Sequence, residues 1–291
     1  MKLSAVIVSR NDNYGGNLIE RSSYCFNSMI DTFDEVFYID WNSDTKSLLN
    51  EVKDNIQFKG NFNHIVIEPK VAKMLTNFDS EAQKCCEVLG RNIGLRRATG
   101  DWIVSTNIDI IAPRRKDLED TINTLDKNTF YTVSRRDAEL PNINEFNKNN
   151  NFEEYKNWKE VREHLINNSE ERHYEEKTMQ GDDYSLVNCC GDFQLATHQI
   201  WNNLRGMEED LIYALYADTN VQKKAVMHGY GLKAIYNPAF FHINHGRGGG
   251  GFLTGVNRKA NDMYRAIVNQ YKTQNTDTWG FSDIEIEYEK L

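Results

Sequence analysis

Short apolar runs alternate with amphipathic segments through the first 135 residues of the chain. The apolar runs are typical of buried strands, and they cover residues 3–8, 35–39, 64–67, 102–104 and 130–134. The segments between them repeat apolar residues at helical spacing, which predicts helices over residues 17–31, 46–53, 80–99 and 116–126. Alternation of strands with helices is typical of a parallel sheet with helical crossovers. The pattern therefore predicts an α/β fold.

A change in composition interrupts this pattern between residues 136 and 187, where Asn, Glu and Lys dominate. Part of the segment still places Tyr155, Trp158, Val161 and Leu165 at helical spacing. The rest is polar enough for a mobile insert. We interpret the insert either as a solvated surface segment or as a wall or lid over a binding site.

Regular structure returns at residue 188. Residues 191–201 are typical of a strand that leads into a helix, residues 208–228 of a long helix, and residues 232–236 of a further strand. A glycine-rich run follows, and the tail from residue 257 begins as a predicted helix.

The length of the chain and the positions of its Gly and Pro residues predict one large domain. No internal repeat is visible in the 291 residues, and this length suits one large domain or two small ones. We divide the domain into a nucleotide-binding half over residues 1–135, the polar insert over residues 136–187, and an acceptor half over residues 188–291. The acceptor half includes the C-terminal loop and helix.

Charge and cysteine content narrow the class of protein. The formal net charge of −9 argues against a nucleic-acid groove, which would be basic. No apolar run approaches the roughly 20 residues of a membrane-spanning helix, and the first residues turn polar too soon for a secretory signal. Five cysteines without CxxC spacing fit buried free thiols in a reducing compartment. We expect a soluble, cytoplasmic protein without a nucleic-acid partner.

Polar side chains follow three of the predicted strands. Ser9 and Arg10 follow the first strand, Asp40 follows the second, and Asn107 and Asp109 follow the fourth. The carboxyl ends of parallel strands meet at one edge of a sheet, and open α/β sheets bind their ligands at that edge. We therefore predict a nucleotide crevice there.

Two late histidines join Asp109 in a candidate metal site. His242 and His245 are three residues apart, after a predicted strand and before the glycine-rich run. A carboxylate with two imidazoles suits Mn²⁺, and a divalent ion neutralises the charge that grows when a nucleoside diphosphate leaves. The alternative is that the histidines form ordinary hydrogen bonds in a loop.

The glycine-rich run over residues 246–251 lacks the Gly-Lys-Ser/Thr ending of a phosphate-binding loop. We interpret it as the hinge of a loop that closes when a donor binds, with Arg247 as a phosphate contact. A flexible surface loop is the alternative interpretation.

Asp218 is the candidate general base. It lies about two turns beyond the acidic start of the helix predicted over residues 208–228, where a carboxylate has no capping role. A base in this position would take the proton of an acceptor hydroxyl. The alternative is an exposed aspartate on a helix face.

The stretch from residue 91 to residue 109 carries a resemblance to a known family. Residues 91–94 read Arg-Asn-Ile-Gly, residues 98–101 read Ala-Thr-Gly-Asp, and residues 107–109 read Asn-Ile-Asp. The first two match the Arg-Asn-x-Gly and Ala-x-Gly-Asp motifs of glycosyltransferases with the GT-A fold. The third corresponds to their Asp-x-Asp motif with Asn107 in place of the first acid. Among these enzymes, the chain resembles family 2. The resemblance implies a Rossmann-like, mixed but mostly parallel sheet, flanked by helices in a single large domain.

The acceptor half resembles the β-1,4-galactosyltransferase group. Residues 205–209 are similar to the family's Gly-Gly-Phe-Asp-Glu turn, and the spacing of His242 and His245 matches its two late metal ligands. Ala217 stands where the family has the Glu of a Glu-Asp pair, and the Asp of that pair, the base, corresponds to Asp218.

The resemblance implies a role for each candidate residue. Asp109 is the direct metal ligand for Mn²⁺ or Mg²⁺, Asn107 replaces the first acid of the metal motif, and Asp40 holds the nucleotide base. The remaining candidate contacts to the nucleotide-sugar are Ser9, Arg10, Asp12, Arg91 and Arg247.

These roles describe a glycosyltransferase. It would move a sugar from a nucleotide-sugar, with a UDP-sugar favoured, to a hydroxyl of a glycan or another acceptor in a single inverting displacement. One alternative is a nucleotidyltransferase acting on a sugar phosphate, although residues 9–16 match its glycine-rich loop poorly. The other is a non-catalytic module that binds a sugar-nucleotide or a glycan, which the replacements at Asn107 and Ala217 would permit.

Overall fold

The structure, a computed structural model, describes residues 1–43, 46–79, 84, 86–139, 158–168, 193–212, 217–245 and 275–291. Within these residues, nine strands form one sheet. In chain order they are β1 (Leu3–Ser9), β2 (Glu35–Trp41), β3 (Phe62–Ile67), β4 (Trp102–Thr106), β5 (Ile110–Ile111), β6 (Thr129–Glu139), β7 (Phe193–Thr197), β8 (Gly231–Asn244) and β9 (Tyr288–Lys290). Their order across the sheet is β5-β8-β6-β7-β4-β1-β2-β3-β9.

Helices cover both faces of this sheet. The α-helices are α1 (Leu18–Thr32), α2 (Leu48–Val52), α3 (Pro69–Leu75), α4 (Glu87–Arg97), α5 (Arg115–Ile122), α6 (Trp158–Asn168), α7 (His198–Leu204) and α8 (Ala217–Met227), with short 3-10 helices at Lys53–Asn55 and Trp279–Phe281. Buried side chains of α1, α2 and α5 belong to the apolar cluster on one face. Those of α4, α7 and α8 belong to the cluster on the other.

The first half of the sheet is parallel. β1 pairs in parallel with β2 and with β4, and β2 pairs in parallel with β3. Along β1, Ala5 and Ile7 join the cluster that contains α1, whereas Val6 and Val8 join the cluster that contains α4. This division follows from the two-residue period of a strand. The predicted α/β sheet, flanked by helices in a single domain, is confirmed.

The second half of the sheet mixes strand directions. β7 lies between β4 and β6 and is antiparallel to both, while β8 is parallel to β6 and antiparallel to β5. The tail returns to the other edge, where β9 is antiparallel to β3. The last strand therefore closes the β3 edge of the parallel half of the sheet. The helix predicted from residue 257 lies outside the described residues.

The described part of the helix predicted over residues 208–228 is α8, Ala217–Met227, and residues 208–212 are not helical, so the first part of this prediction is wrong. Glu208 and Glu209 lie outside any helix. Glu208 forms a buried ion pair with Lys224 of α8, and Glu209 accepts hydrogen bonds from two other segments. The two acids therefore bind neighbouring segments rather than starting a helix.

The structure describes two parts of the polar insert, residues 136–139 and helix α6. Residues 136–139 continue β6, so the insert was predicted to begin too early. Helix α6 is the other part. Its residues Trp158, Val161 and Leu165 are buried in a cluster with Phe241 and Ile243 of β8. The predicted helical spacing is confirmed for these three residues. α6 thus packs against the strand that carries His242. Residues 140–157 and 169–187 of the insert lie outside the described residues.

Two further expectations concern membranes and thiols. In the parts of the chain that the structure describes, no helix combines the length and apolar character needed to cross a membrane. Cys25 and Cys86 are buried free thiols, as predicted. Burial raises the pKa of both thiols, that of Cys86 to about 12. Both side chains therefore remain protonated near neutral pH.

The stability of the sheet should depend on pH through His64 of β3. Its ring stacks on Tyr38 with ring centroids 5.5 Å apart, and its Nε2 lies 3.0 Å from Ser47 Oγ. Burial lowers the pKa of His64, and the carboxylates of Asp40 and Glu289 offset only part of that shift. Between this lowered pKa and the unfolded value of about 6.5, the unfolded chain binds more protons, so acid destabilises the fold.

We therefore expect the melting temperature to fall as pH is lowered from about 7.5 to about 5.5, and His64→Gln to flatten part of that slope. Thermal unfolding followed by circular dichroism measures both. His198→Gln is the matched control, because it removes a partly exposed histidine from α7. An equal slope in the wild type and in His64→Gln would contradict the assignment.

Candidate functional site

Pairing between β5 and β8 brings the three predicted metal ligands together. Ile110 of β5 lies opposite His242 of β8, and Ile243 N donates a hydrogen bond of 2.9 Å to Asp109 O. Asp109 precedes β5 directly, and His245 follows β8 directly. The buried side chains of Ile110 and Ile243 hold this corner of the sheet in place.

The side chains of Asp109, His242 and His245 converge on one point. His245 Nε2 lies 2.9 Å and His242 Nε2 lies 3.6 Å from Asp109 Oδ2. One ligand atom from each residue can be chosen so that all lie within 4.8 Å of one another. The side chains are only 8–10% exposed. This trio is the candidate metal centre.

The donor atoms of the candidate metal centre fit a divalent cation. Asp109 Oδ1 is buried and has no hydrogen-bond partner among the described residues. A buried oxygen without a partner is costly, and a bound ion would satisfy it. Imidazole nitrogen and carboxylate oxygen together suit the first-row transition ions.

Asp109 is held as a carboxylate. Burial by itself would raise the pKa of Asp109, but hydrogen bonds and positive charge from His242 and His245 outweigh it and hold the pKa below its usual range. The ionised form is the one that binds metal.

Arg21 of α1 contacts the candidate metal centre through Asp109. Sequence patterns did not identify this residue. Its side chain is fully buried, with Nη1 3.3 Å from Asp109 Oδ2. Its Nε and Nη2 donate to Gly16 O at 3.2 and 3.0 Å, and Nη2 also donates to Tyr14 O. Arg21 therefore ties Asp109 to the loop after β1. The sequence feature that could have identified Arg21 is a charged residue three positions after Leu18, on the apolar side of α1.

Asn107 and Arg91 lie beside each other at the end of β4. Arg91 of α4 is buried, and it donates to Ser105 Oγ at 2.7 Å, to Asn107 Oδ1, and to Glu87 Oε2 at 3.2 Å. Asn107 remains partly exposed. Arg91 thus positions Asn107 at the edge of the sheet.

Ser9, Arg10 and Asp12 occupy the turn that follows β1. Ser9 is buried with its Oγ 2.9 Å from Tyr38 Oη. Arg10 Nη1 donates to Lys84 O at 3.0 Å, and the exposed Asp12 accepts from the backbone of this turn. The structure thus places all three at the carboxyl end of β1, with Arg10 and Asp12 closest to solvent.

Asp40 is fully buried at the matching end of β2, opposite Ser9. Its Oδ2 accepts a hydrogen bond of 2.9 Å from Leu48 N, and its Oδ1 accepts one from Ser43 Oγ. Ser43 Oγ in turn accepts from Asn11 N at 2.9 Å. Asp40 therefore links the loops after β1 and β2.

Asp218 lies in the first turn of α8, which changes the argument for its role. A carboxylate in the first turn interacts favourably with the helix dipole, and Thr219 N donates to Asp218 Oδ1 at 2.8 Å. Gln194 of β7 donates to Asp218 O at 3.2 Å. Gln194 lies opposite Ser105 of β4, so Asp218 is near the same end of β4 as Asn107. It is partly exposed.

A polar cluster holds the turn over residues 205–209. Asn92 of α4 both donates to Met207 O and accepts from Met207 N, at 2.8 Å each. Lys224 of α8 donates to Gly206 O at 3.0 Å. Gly206 has a φ of +66°, and a Cβ there would lie 2.3 Å from Asn92 Oδ1. The turn is thus fixed between α4 and α8. Arg247 and residues 191–192 lie outside the described residues.

Comparison with known proteins supports the fold. No family profile and no curated protein matches the sequence. The structure is similar to S. aureus TarS 1-349 in complex with UDP-GlcNAc, with a TM-score of 0.53 and 13% identity over 96% of this chain and 69% of that chain. For the complex of TarS 1-349 with UDP, the TM-score is 0.50 and the identity is 12%, over 96% of this chain and 68% of that chain. The expected GT-A-like fold is therefore confirmed.

Loss of Arg21 should destabilise the fold strongly. Arg21→Met leaves Asp109 and two carbonyl oxygens without a buried donor, and breaking a buried ion pair in this way costs about 3–5 kcal/mol. Urea denaturation in the presence of EDTA measures the free energy of unfolding. Arg114→Met is the control, because its ion pairs are exposed and worth about 0–1 kcal/mol. Similar losses in both variants would show that Arg21 has no special role.

Proposed function

We propose that this chain is a metal-dependent glycosyltransferase that transfers a sugar from a UDP-sugar to a hydroxyl of a glycan or another acceptor. The observation that carries the proposal is the convergence of Asp109, His242 and His245 beside the carboxyl end of β4. Ligands of open α/β sheets bind at such an edge. The similar TarS structures are complexes with UDP and UDP-GlcNAc, which supports a UDP-sugar as the donor.

Mn²⁺ is the cation that we propose for the candidate metal centre. Two imidazoles and one carboxylate suit Mn²⁺ better than Mg²⁺, which prefers oxygen ligands and retains several waters. When bound, the cation would neutralise charge on the diphosphate as it leaves. Asp109, His242 and His245 would hold it.

The loops after β1 and β2 are proposed to bind the nucleotide. Arg10 and Asp12 lie on the open side of the first loop, and Asn107 lies at the neighbouring strand end. Asp40 is proposed to act on the base side through the loop that it holds, because its carboxylate is buried and bonded to Leu48 and Ser43. Ser9 and Arg91 are buried and hold this surface in place through their hydrogen bonds. Arg247 is proposed as a further phosphate contact.

Asp218 is proposed as the general base. Its carboxylate would take the proton of the acceptor hydroxyl while the hydroxyl oxygen attacks the anomeric carbon. The bond from that carbon to the diphosphate oxygen breaks, and the nucleoside diphosphate leaves with the electron pair. Attack from the face opposite the leaving group inverts the anomeric centre, as the family resemblance implies.

Sugar-nucleotide turnover tests the proposal. UDP release from a panel of UDP-sugars with Mn²⁺ should fall about a thousandfold in Asp109→Ala, since a bound cation supplies several kcal/mol. Asp218→Asn should lower kcat by about 10²–10⁴-fold, the usual contribution of a general base, with little change in the KM for the donor. Asp120→Asn is the control, because Asp120 is an exposed carboxylate on α5.

Three outcomes would refute the proposed site or replace the proposed function. Full activity in both Asp109→Ala and Asp218→Asn would refute the proposed site. Release of pyrophosphate from a nucleoside triphosphate and a sugar phosphate would identify a nucleotidyltransferase. Binding of UDP-sugars, seen as a rise in melting temperature without turnover or hydrolysis, would identify a binding module.

A further inference from the structure

His242 faces different groups with its two ring nitrogens. Nε2 points to the candidate metal centre, 3.6 Å from Asp109 Oδ2. Nδ1 lies 3.2 Å from Asp137 Oδ1 and 3.2 Å from Asn244 Oδ1. A neutral imidazole carries its hydrogen on one nitrogen only. Two oxygen atoms beside Nδ1 favour a hydrogen there, so a cation that displaces the hydrogen of Nε2 would meet the Nε2 lone pair.

His242 Nδ1 shares a hydrogen bond with Asn244 Oδ1, whereas Asp137 faces Nδ1 at ion-pair distance. Of the two, Asp137 is better suited to keep the hydrogen on Nδ1. An ionised carboxylate only accepts hydrogen bonds, whereas an Asn side chain can turn either its oxygen or its nitrogen to a neighbour. The Asp137 side chain is 7% exposed, and Arg135 Nε lies 3.1 Å from the same Oδ1. Arg135 balances the charge of this buried carboxylate and restrains its position.

An irregularity in β8 creates the contact between Asp137 and His242. Val133 of β6 pairs with Ile235, but Arg135 pairs with Phe240, so residues 236–239 of β8 face a single residue of β6. A continuous register would place Ala239 opposite Asp137. The extra residues place His242 there instead. Bulges often redirect side chains next to active sites.

We propose that Asp137 is a positioning residue of the candidate metal centre, which fixes the tautomer and the ring orientation of His242 and thereby sets the affinity for the divalent cation. The inference rests on the metal site of the proposed function. Metal-binding histidines usually donate their other ring N–H to a carboxylate or carbonyl, and loss of that partner weakens metal binding by about 10–100-fold.

Titration calorimetry of the full chain with MnCl₂ tests this role. Asp137→Ala should weaken Mn²⁺ binding by about 10–100-fold, and Asp137→Asn should weaken it less, because an amide oxygen at the same position still attracts the Nδ1 hydrogen. Asp120→Asn serves as the control for removal of a carboxylate, and Asp109→Ala marks complete loss of the site. Melting temperatures in EDTA show whether each variant folds.

Pulsed electron paramagnetic resonance of bound Mn²⁺ separates positioning from general stability. The wild type should show nitrogen couplings from two imidazoles, and Asp137→Ala should lose or alter one of them. A purely structural role would lower the melting temperature but leave the couplings and the affinity as they are, which would overturn the inference. If Asp137→Ala does not fold, Asp137→Asn decides by the same two readouts.

The two proposals fail in different ways. Absence of Mn²⁺ binding in the wild type would refute the metal centre, and the role of Asp137 with it. Binding in the wild type that is lost in Asp109→Ala but stays within about twofold in the folded Asp137 variants would refute the role of Asp137 alone.

Discussion

The antiparallel pairing of β5 with β8 is the contact on which the candidate site depends. It places Asp109, at the end of the first half of the sheet, against His242 and His245, which come near the end of the second half. β5 has only two residues, so its own hydrogen bonds cannot fix the geometry. Buried Ile110 and Ile111 anchor it between α1 and the strand that it meets.

Two of the three ligands of the candidate metal centre have a charged partner outside it. Arg21 reaches Asp109 from α1, and Asp137 faces His242 from β6. Arg21 also binds carbonyl oxygens of the loop after β1. The cation site and one proposed nucleotide loop therefore form a single hydrogen-bonded unit. Such support from buried neighbours keeps ligand geometry fixed before substrate binds.

The sequence predicted what depends on local pattern and residue type. Apolar runs with polar ends located the parallel strands, and the family motifs pointed to Asp109 and the late histidines. Arg21 and Asp137 were missed because their roles depend on packing and on the irregular register of β8, which no local pattern records. The sequence predicted Asp218 about two turns inside a helix, whereas it lies in the first turn of α8. The apolar spacing was misleading because it continues through the turn that the ion pair of Glu208 with Lys224 stabilises.

Anomalous diffraction at the manganese absorption edge tests the central claim most directly. Crystals grown with Mn²⁺ and UDP should show one strong anomalous peak coordinated by Asp109, His242 and His245, at the edge of the sheet beside the diphosphate. A peak elsewhere would contradict the account. So would UDP bound at this edge without manganese, with the histidines still bonded to Asp109.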